Sequence, residues 1–359
     1  MSVRWLLGPA PSSVTSAVNR RRSFAAVAVL LGLALANPTS AENTPAPPSL
    51  TEVAEAYGFT SDDVEAMLSG EAVLGDLRAV SDNELALSAM FLTNKPLSWH
   101  LDRIEAARSV DPTLEGMGFF GDDPMADLAP LELGDDELDR IAKAEVGDDF
   151  NLTKSEVERI RAAAKAEGKA ARRRDVLNAF KAVLADRVAR YRRGGLSSIE
   201  AYDRGDGDRS QPANQLARAL EQLRVTTELA PRVVEALRAF PEMPHPEIPS
   251  RLAWARNDAE GRVLVSLTHR VSGQSGASAV AIEHRFFIHH TLTSMQAAAV
   301  AFPVEEGTVV LYANRTGTDL VTGFGSSIAK KIGTALMRRE VKHLVDTFLE
   351  ATDSAVSAR

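Results

Sequence analysis

Apolar residues recur in two different rhythms along this chain. From about residue 250 the spacing is two. Segments 252–256, 262–271, 279–290, 295–304 and 308–315 alternate apolar and polar positions and predict five β-strands. The turns Asn257-Asp258-Ala259-Glu260-Gly261 and Glu305-Glu306-Gly307 join them into an antiparallel meander. Gly273-Gln274-Ser275-Gly276 reads as a further hairpin loop and departs from the G-x-S-x-G of a hydrolase elbow. Beyond Gly323-Phe324-Gly325-Ser326-Ser327 a long closing helix is expected, with Ile328, Ile332, Leu336, Leu344, Val345, Phe348 and Leu349 on one face.

Before residue 245 the spacing is three to four, and helix starts are marked chemically. Thr60 with Asp63, Ser81 with Glu84 and Thr153 with Glu156 each set a hydroxyl three residues ahead of a carboxylate, as a capping box requires. Helices are predicted near 50–57, 61–69, 82–93, 98–109, 135–145, 154–168, 171–192, 196–202, 211–228 and 231–239. The chain thus divides into a mainly helical region, 50–245, and an antiparallel sheet with a C-terminal helix, 246–359. Its fold class is α+β.

The first residues add a destination. Arg20-Arg21-Arg22 precede the uncharged run 25–36 and then Pro38-Thr39-Ser40-Ala41, the layout of a secretory signal peptide over 1–41. The run is too short for a spanning helix, which needs about 20 apolar residues. A mature chain without a transmembrane helix, periplasmic or secreted, is expected. Arg21-Arg22-Ser23-Phe24 resembles the twin-arginine export motif, although Ala25 and Ala26 depart from it and leave the general secretion route open. Residues 42–49 form a proline-rich linker.

There is no cysteine, which removes disulfides, thiolate metal sites and catalytic thiols. The formal net charge is −8, and removing a leader with four arginines and no acids leaves −12, a poor balance for binding nucleic acid. An acidic block over 122–139 and a basic block over 165–193 suggest a cation site and an anion-binding helix, or two helix faces that pair with each other. Asp203-Arg204-Gly205-Asp206-Gly207-Asp208 has the carboxylates of a calcium loop. On EF-hand spacing, however, Gln211 and Ala217 stand where glycine and glutamate belong.

The stretch Glu283-His284-Arg285-Phe286-Phe287-Ile288-His289-His290 holds three of the seven histidines. Strict alternation puts His284, Phe286 and His290 on one strand face and Glu283, Arg285, Phe287 and His289 on the other. His269 shares the apolar face of its own strand. His284 and His290 lie about 20 Å apart along a strand and cannot share one ion, so no metal site and no cofactor are expected.

Segments 192–203 and 283–333, with RRGGLSSIEAYD, EHRFFIHHTL and LYANRTGTDLVTGFG, resemble a set of uncharacterised exported bacterial proteins. That resemblance implies export and a helical half followed by a sheet and a closing helix, and it assigns no activity. The meander plus long helix is also similar to the helix-grip fold of START-like lipid carriers, which implies an apolar cavity between sheet and helix. The expected function is binding, of a small apolar ligand or an envelope protein partner, with Trp254, His269, His284, Phe286 and Tyr312 as candidate ligand-binding residues. Two alternatives are a periplasmic hydrolase using His269 or His284 with Glu283 or Arg285, and a structural envelope protein.

Overall fold

The computed structural model describes residues 47–105, 113–147, 150–205, 207–259, 262–322 and 326–354. The expected signal peptide, most of the linker, Asp206 and the Gly323-Phe324-Gly325 helix start lie outside the described residues. In chain order the elements are helices α1 (Leu50–Ala56) and α2 (Ser61–Leu68), strands β1 (Val73–Asp76) and β2 (Glu84–Thr93), helix α3 (Leu97–Glu105) and strand β3 (Leu114–Phe119). Helices α4 (Pro124–Asp127), α5 (Asp135–Ile141), α6 (Lys154–Ala163) and α7 (Lys169–Gly194) follow. After a small hairpin, β4 (Tyr202–Asp203) and β5 (Arg209–Ser210), come α8 (Pro212–Glu221), α9 (Arg224–Leu229) and α10 (Pro231–Ala239). The chain closes with β6 (Ser250–Ala259), β7 (Arg262–Ser275), β8 (Ser278–Ile288), β9 (Ser294–Val304), β10 (Gly307–Gly317) and α11 (Ser326–Ser354).

Eight strands form one antiparallel sheet in the order β1-β2-β10-β9-β8-β7-β6-β3. The five-strand meander is its centre, and strands from the helical region extend both edges. The expected helix at 82–93 is therefore strand β2. Its sequence, ELALSAMFLT, favours helix by propensity but is buried nearly throughout, so both faces are apolar and no period of two shows. Pairing with β10 and β1 decides its state. The expected capping box is absent at that end: Ser81 donates to Asn83, while Glu84 pairs with buried Arg315 of β10 at 3.1 Å. The boxes at Thr60 and Thr153 do form, and a third forms at Ser49 with Glu52.

Strands β1 and β3 escape sequence reading because both are short and glycine-bearing. In β3, Gly118 gives the Trp254 indole room: an added Cβ would lie 2.5 Å from its Nε1. At the other hairpin Gly276, with φ of 56°, makes the two-residue turn between β7 and β8.

The two faces of the sheet have different covers. Helices α1, α2, α9 and α10 pack over one half of the first face, around Met90, Val271, Val280, Ile282 and Phe302. Helices α5 to α7 cover the other half, around Trp254, Val265, Leu267, Phe286 and Phe287. The acidic and basic blocks meet here, where Arg173 of α7 pairs with Asp135 and Asp139 of α5. The second face carries α3 and α11, packed over Leu87, Phe91, Ala301 and Val310. On α11, Val341, Val345 and Phe348 make that contact, whereas the expected face residues Ile328 and Leu336 are exposed.

Candidate functional site

Between the second face and its two helices lies a cavity of about 300 Å³. Its floor is Ala253, Ala255, Ala281, Ala297, Ala299 and Ala301, the alternate positions of β6, β8 and β9. Methyl side chains there leave a gap that α3 and α11 roof without filling. An aromatic group holds the roof at one end: Phe348 of α11 meets Phe91 edge-on at 5.5 Å and Trp99 at 5.7 Å, and stacks on His100 at 6.0 Å between centroids. Arg103 lies 4.9 Å from the Trp99 centroid. Met117 and Phe119 of β3 line the cavity and are 41% and 40% exposed, so its wall reaches the surface there.

Polar groups gather away from the aromatic end. Arg270 of β7 faces Glu283 of β8 across the ladder, pairs with it at 3.0 Å and donates to the Ile104 carbonyl at 3.4 Å. Arg285 stands two residues beyond Glu283 on the same face, half-buried, opposite Thr268. Among the described residues its guanidinium has no ion pair and no hydrogen bond. At the aromatic end burial, reinforced by Arg103, pushes His100 down to about 4, so it is neutral near pH 7 and shares a hydrogen bond with Thr93 Oγ1 at 3.2 Å.

Of the five residues expected to bind ligand, Tyr312 lines this cavity. Trp254, His269, His284 and Phe286 lie on the opposite face, within or beside the helical core. Trp254 Nε1 donates to the Asp127 carbonyl at 3.0 Å, and Phe286 stacks on Tyr191 with centroids 4.1 Å apart. His269 and His284 are directly opposite in the β7–β8 ladder. Both ring nitrogens of His269 engage hydroxyls, Tyr191 Oη at 3.0 Å and Ser250 Oγ at 2.8 Å, while His284 Nε2 donates to Gln296 Oε1 at 2.8 Å. Burial pushes His269 down to about 3, with His284 adding to the effect, and burial pushes His284 down to about 4 despite its amide partner. The pairing of these histidines with Glu283 or Arg285 considered for a hydrolase would have to act through the sheet, because the acid and the arginine face the cavity.

The expected division of the three clustered histidines between two faces also changes. A β-bulge at Phe286 inserts one residue into β8, since Leu267 pairs with Phe287 while Thr268 pairs with Arg285. Phe286 and Phe287 consequently join one core, and His289 follows them onto the helical side, against Phe150 and Phe180.

There Glu137 of α5, His289 and His290, all buried, hold ligand-type atoms within 4.8 Å of one another, a candidate metal cluster that strand spacing alone does not show. Its chemistry fits a hydrogen-bond network better than an ion. The Val265 amide donates to His289 Nδ1 at 2.9 Å, so the proton sits on Nε2 and is donated to Glu137 Oε1 at 3.1 Å. His290 Nε2 faces the Val263 carbonyl at 2.8 Å and must carry its proton there, which turns Nδ1 towards Thr291 Oγ1. Neither Nε2 offers a lone pair. Burial raises the Glu137 carboxyl, but the hydrogen bond from His289 and the Arg140 guanidinium outweigh it and hold the group below the usual carboxylate range. In the calcium-like loop Asp203 is also spent: it pairs with Arg209 at 3.0 Å and accepts from the Lys154 amide at 2.8 Å.

No protein-family model matches the chain, and comparison with curated proteins finds no match. A cavity between sheet and closing helix was expected, but apart from Tyr312 its lining was missed, because large and titratable residues were sought. Its signal was the small ones, the alternate alanines of AVAIEHR and QAAAVA.

Proposed function

We propose that the protein is a binding protein for a small apolar ligand, held in the cavity between the sheet and helices α3 and α11. The observation that carries this reading is the cavity itself, floored by alternate alanines on three strands and walled by Phe91, Val310 and Phe348. A protein interior is ordinarily close-packed, and a gap of this size forfeits contacts on every side unless something occupies it. The volume lies at the lower end of small-molecule sites. The N-terminal pattern supports the further proposal that binding occurs after export, in the periplasm or outside the cell.

The test uses the neutral fluorophore N-phenyl-1-naphthylamine, whose emission rises in apolar surroundings. The wild-type protein should bind it, and Ala299→Phe, which fills the floor, should weaken binding at least about tenfold, a loss of about 1.4 kcal/mol. Ala281→Leu repeats the test with a smaller insertion, and circular dichroism establishes that each variant is folded. Phe286→Ala, on the opposite face, should leave the affinity within about twofold of wild type despite a lower stability. Absent binding to the wild type, or full affinity in a folded, filled variant, would falsify the assignment.

A further inference from the structure

We propose that the ligand is an amphiphile with a single carboxylate head and an unbranched apolar tail of medium length, and that Arg285 takes the head. This rests on reading the cavity as a binding site and specifies what it selects.

The cavity is polarised along β8. Ala279, beside Ala301 and near the wall made by Phe91, Val345 and Phe348, marks an apolar end. Arg285 lies six residues along the same strand face, about 20 Å away at roughly 3.3 Å per residue. An occupant held at Arg285 meets charge at its head and the alanine floor, leading towards the apolar end, along its tail.

The charges at that second end do not balance. Arg270 and Arg285 line it against a single carboxylate among the described residues, Glu283. Glu283 is committed to Arg270, and the other arginine of the lining, Arg103, lies over the Trp99 and Phe348 rings at the apolar end. Arg285 remains, half-buried and with no counter-ion among the described residues. Its neighbour Arg270 also has a buried Nε without a hydrogen-bond partner. A partly desolvated guanidinium favours an anion, and its planar fork matches a carboxylate with two parallel hydrogen bonds.

Glu283, two residues away on the same face, argues for a monoanion. A phosphate dianion would be repelled by it, whereas one carboxylate charge is answered by Arg285. The volume sets the tail: about 300 Å³ is roughly ten water-sized volumes. That suits a chain of on the order of ten non-hydrogen atoms.

Displacement of N-phenyl-1-naphthylamine by decanoate and by 1-decanol, at about pH 8 where a carboxylate is ionised, separates head from tail. For wild-type protein, decanoate should displace the probe at a concentration at least about tenfold lower than decanol does. Arg285→Gln should abolish that preference while leaving the decanol midpoint within about twofold, and Arg285→Lys should restore part of it. Equal potency of decanoate and decanol on the wild type, or a preference undiminished in Arg285→Gln, overturns the head-group assignment. If decanol displaces the probe and the preference is missing, only this assignment fails. Should the probe not bind, or bind equally to Ala299→Phe, the cavity reading fails with it.

Discussion

The two faces of the central sheet are made from the same strands at alternate positions, yet they are built to different rules. The helical face is packed with Trp254, Leu267, Phe286, Phe287 and Phe302, and most of its polar groups are paired, Arg187 with Glu156, His269 with two hydroxyls, His284 Nε2 with Gln296 and His289 with Glu137, while His284 Nδ1 is buried without a partner. The other face is rich in alanine, with a gap above it and, among the described residues, a guanidinium without a counter-charge. A face that fills its space and pairs most of its polar groups stabilises; one that leaves space and an unpaired guanidinium has what the proposed binding would use.

This contrast can be broken most forcefully at the buried ion pair. Arg187 of α7 donates through Nε to Glu156 of α6 at 2.8 Å and its guanidinium lies 4.4 Å from the Phe287 centroid, tying two helices to the bulged end of β8. Glu156→Ala strands that cation in the core and should lower stability by about 3–5 kcal/mol, read as the shift of a urea midpoint. Probe affinity measured well below the unfolding transition should stay near wild type.

The next largest effect, counted per residue, is acid sensitivity. His269 and His284 have folded values of about 3 and about 4, below their ordinary 6.5. Above pH 6.5 both are neutral folded or unfolded and contribute no pH dependence. Below it the unfolded chain takes up protons that the folded chain refuses, so stability falls with pH and levels off only near the folded values. The loss reaches roughly 3 kcal/mol for each histidine by pH 4. Urea titrations between pH 7 and pH 4 should show this slope, and His284→Gln should flatten it; an unchanged slope in that variant would remove His284 as a cause.

The smallest effect sharpens the comparison between neighbouring residues of one strand. Val300 of β9 points into the helical core and Ala299 into the cavity. Val300→Phe overpacks a filled interior and should cost about 1–3 kcal/mol, while Ala299→Phe should cost less than about 1 kcal/mol because the ring enters existing space. Equal costs would mean that the cavity collapses around its own walls.

The amino-acid sequence by itself determined most local structure: the five meander strands, most of the helices and the caps at Thr60 and Thr153 are each dictated by periodicity or hydrogen-bonding groups a few residues apart. It also determined the class, α+β, and the place of the long closing helix. Tertiary structure alone decided three things. Strand β2 was one, because ELALSAMFLT buries both faces and only β10 and β1 can select strand over helix. The face of the candidate residues was another. Large aromatics and histidines attract notice as binding groups, but large residues fill cores, and the space for a ligand lies where side chains are small. The last was the grouping of Glu137 with His289 and of Arg285 with the alanine floor. A one-residue bulge at Phe286 moves His289 across the sheet, and whether Arg285 finds a counter-ion depends on helices distant in sequence. Patterns of period two and three to four encode what a residue's neighbours in the chain require of it. Which side of a sheet is filled, and which charge goes unanswered, is a property of elements brought together only by folding.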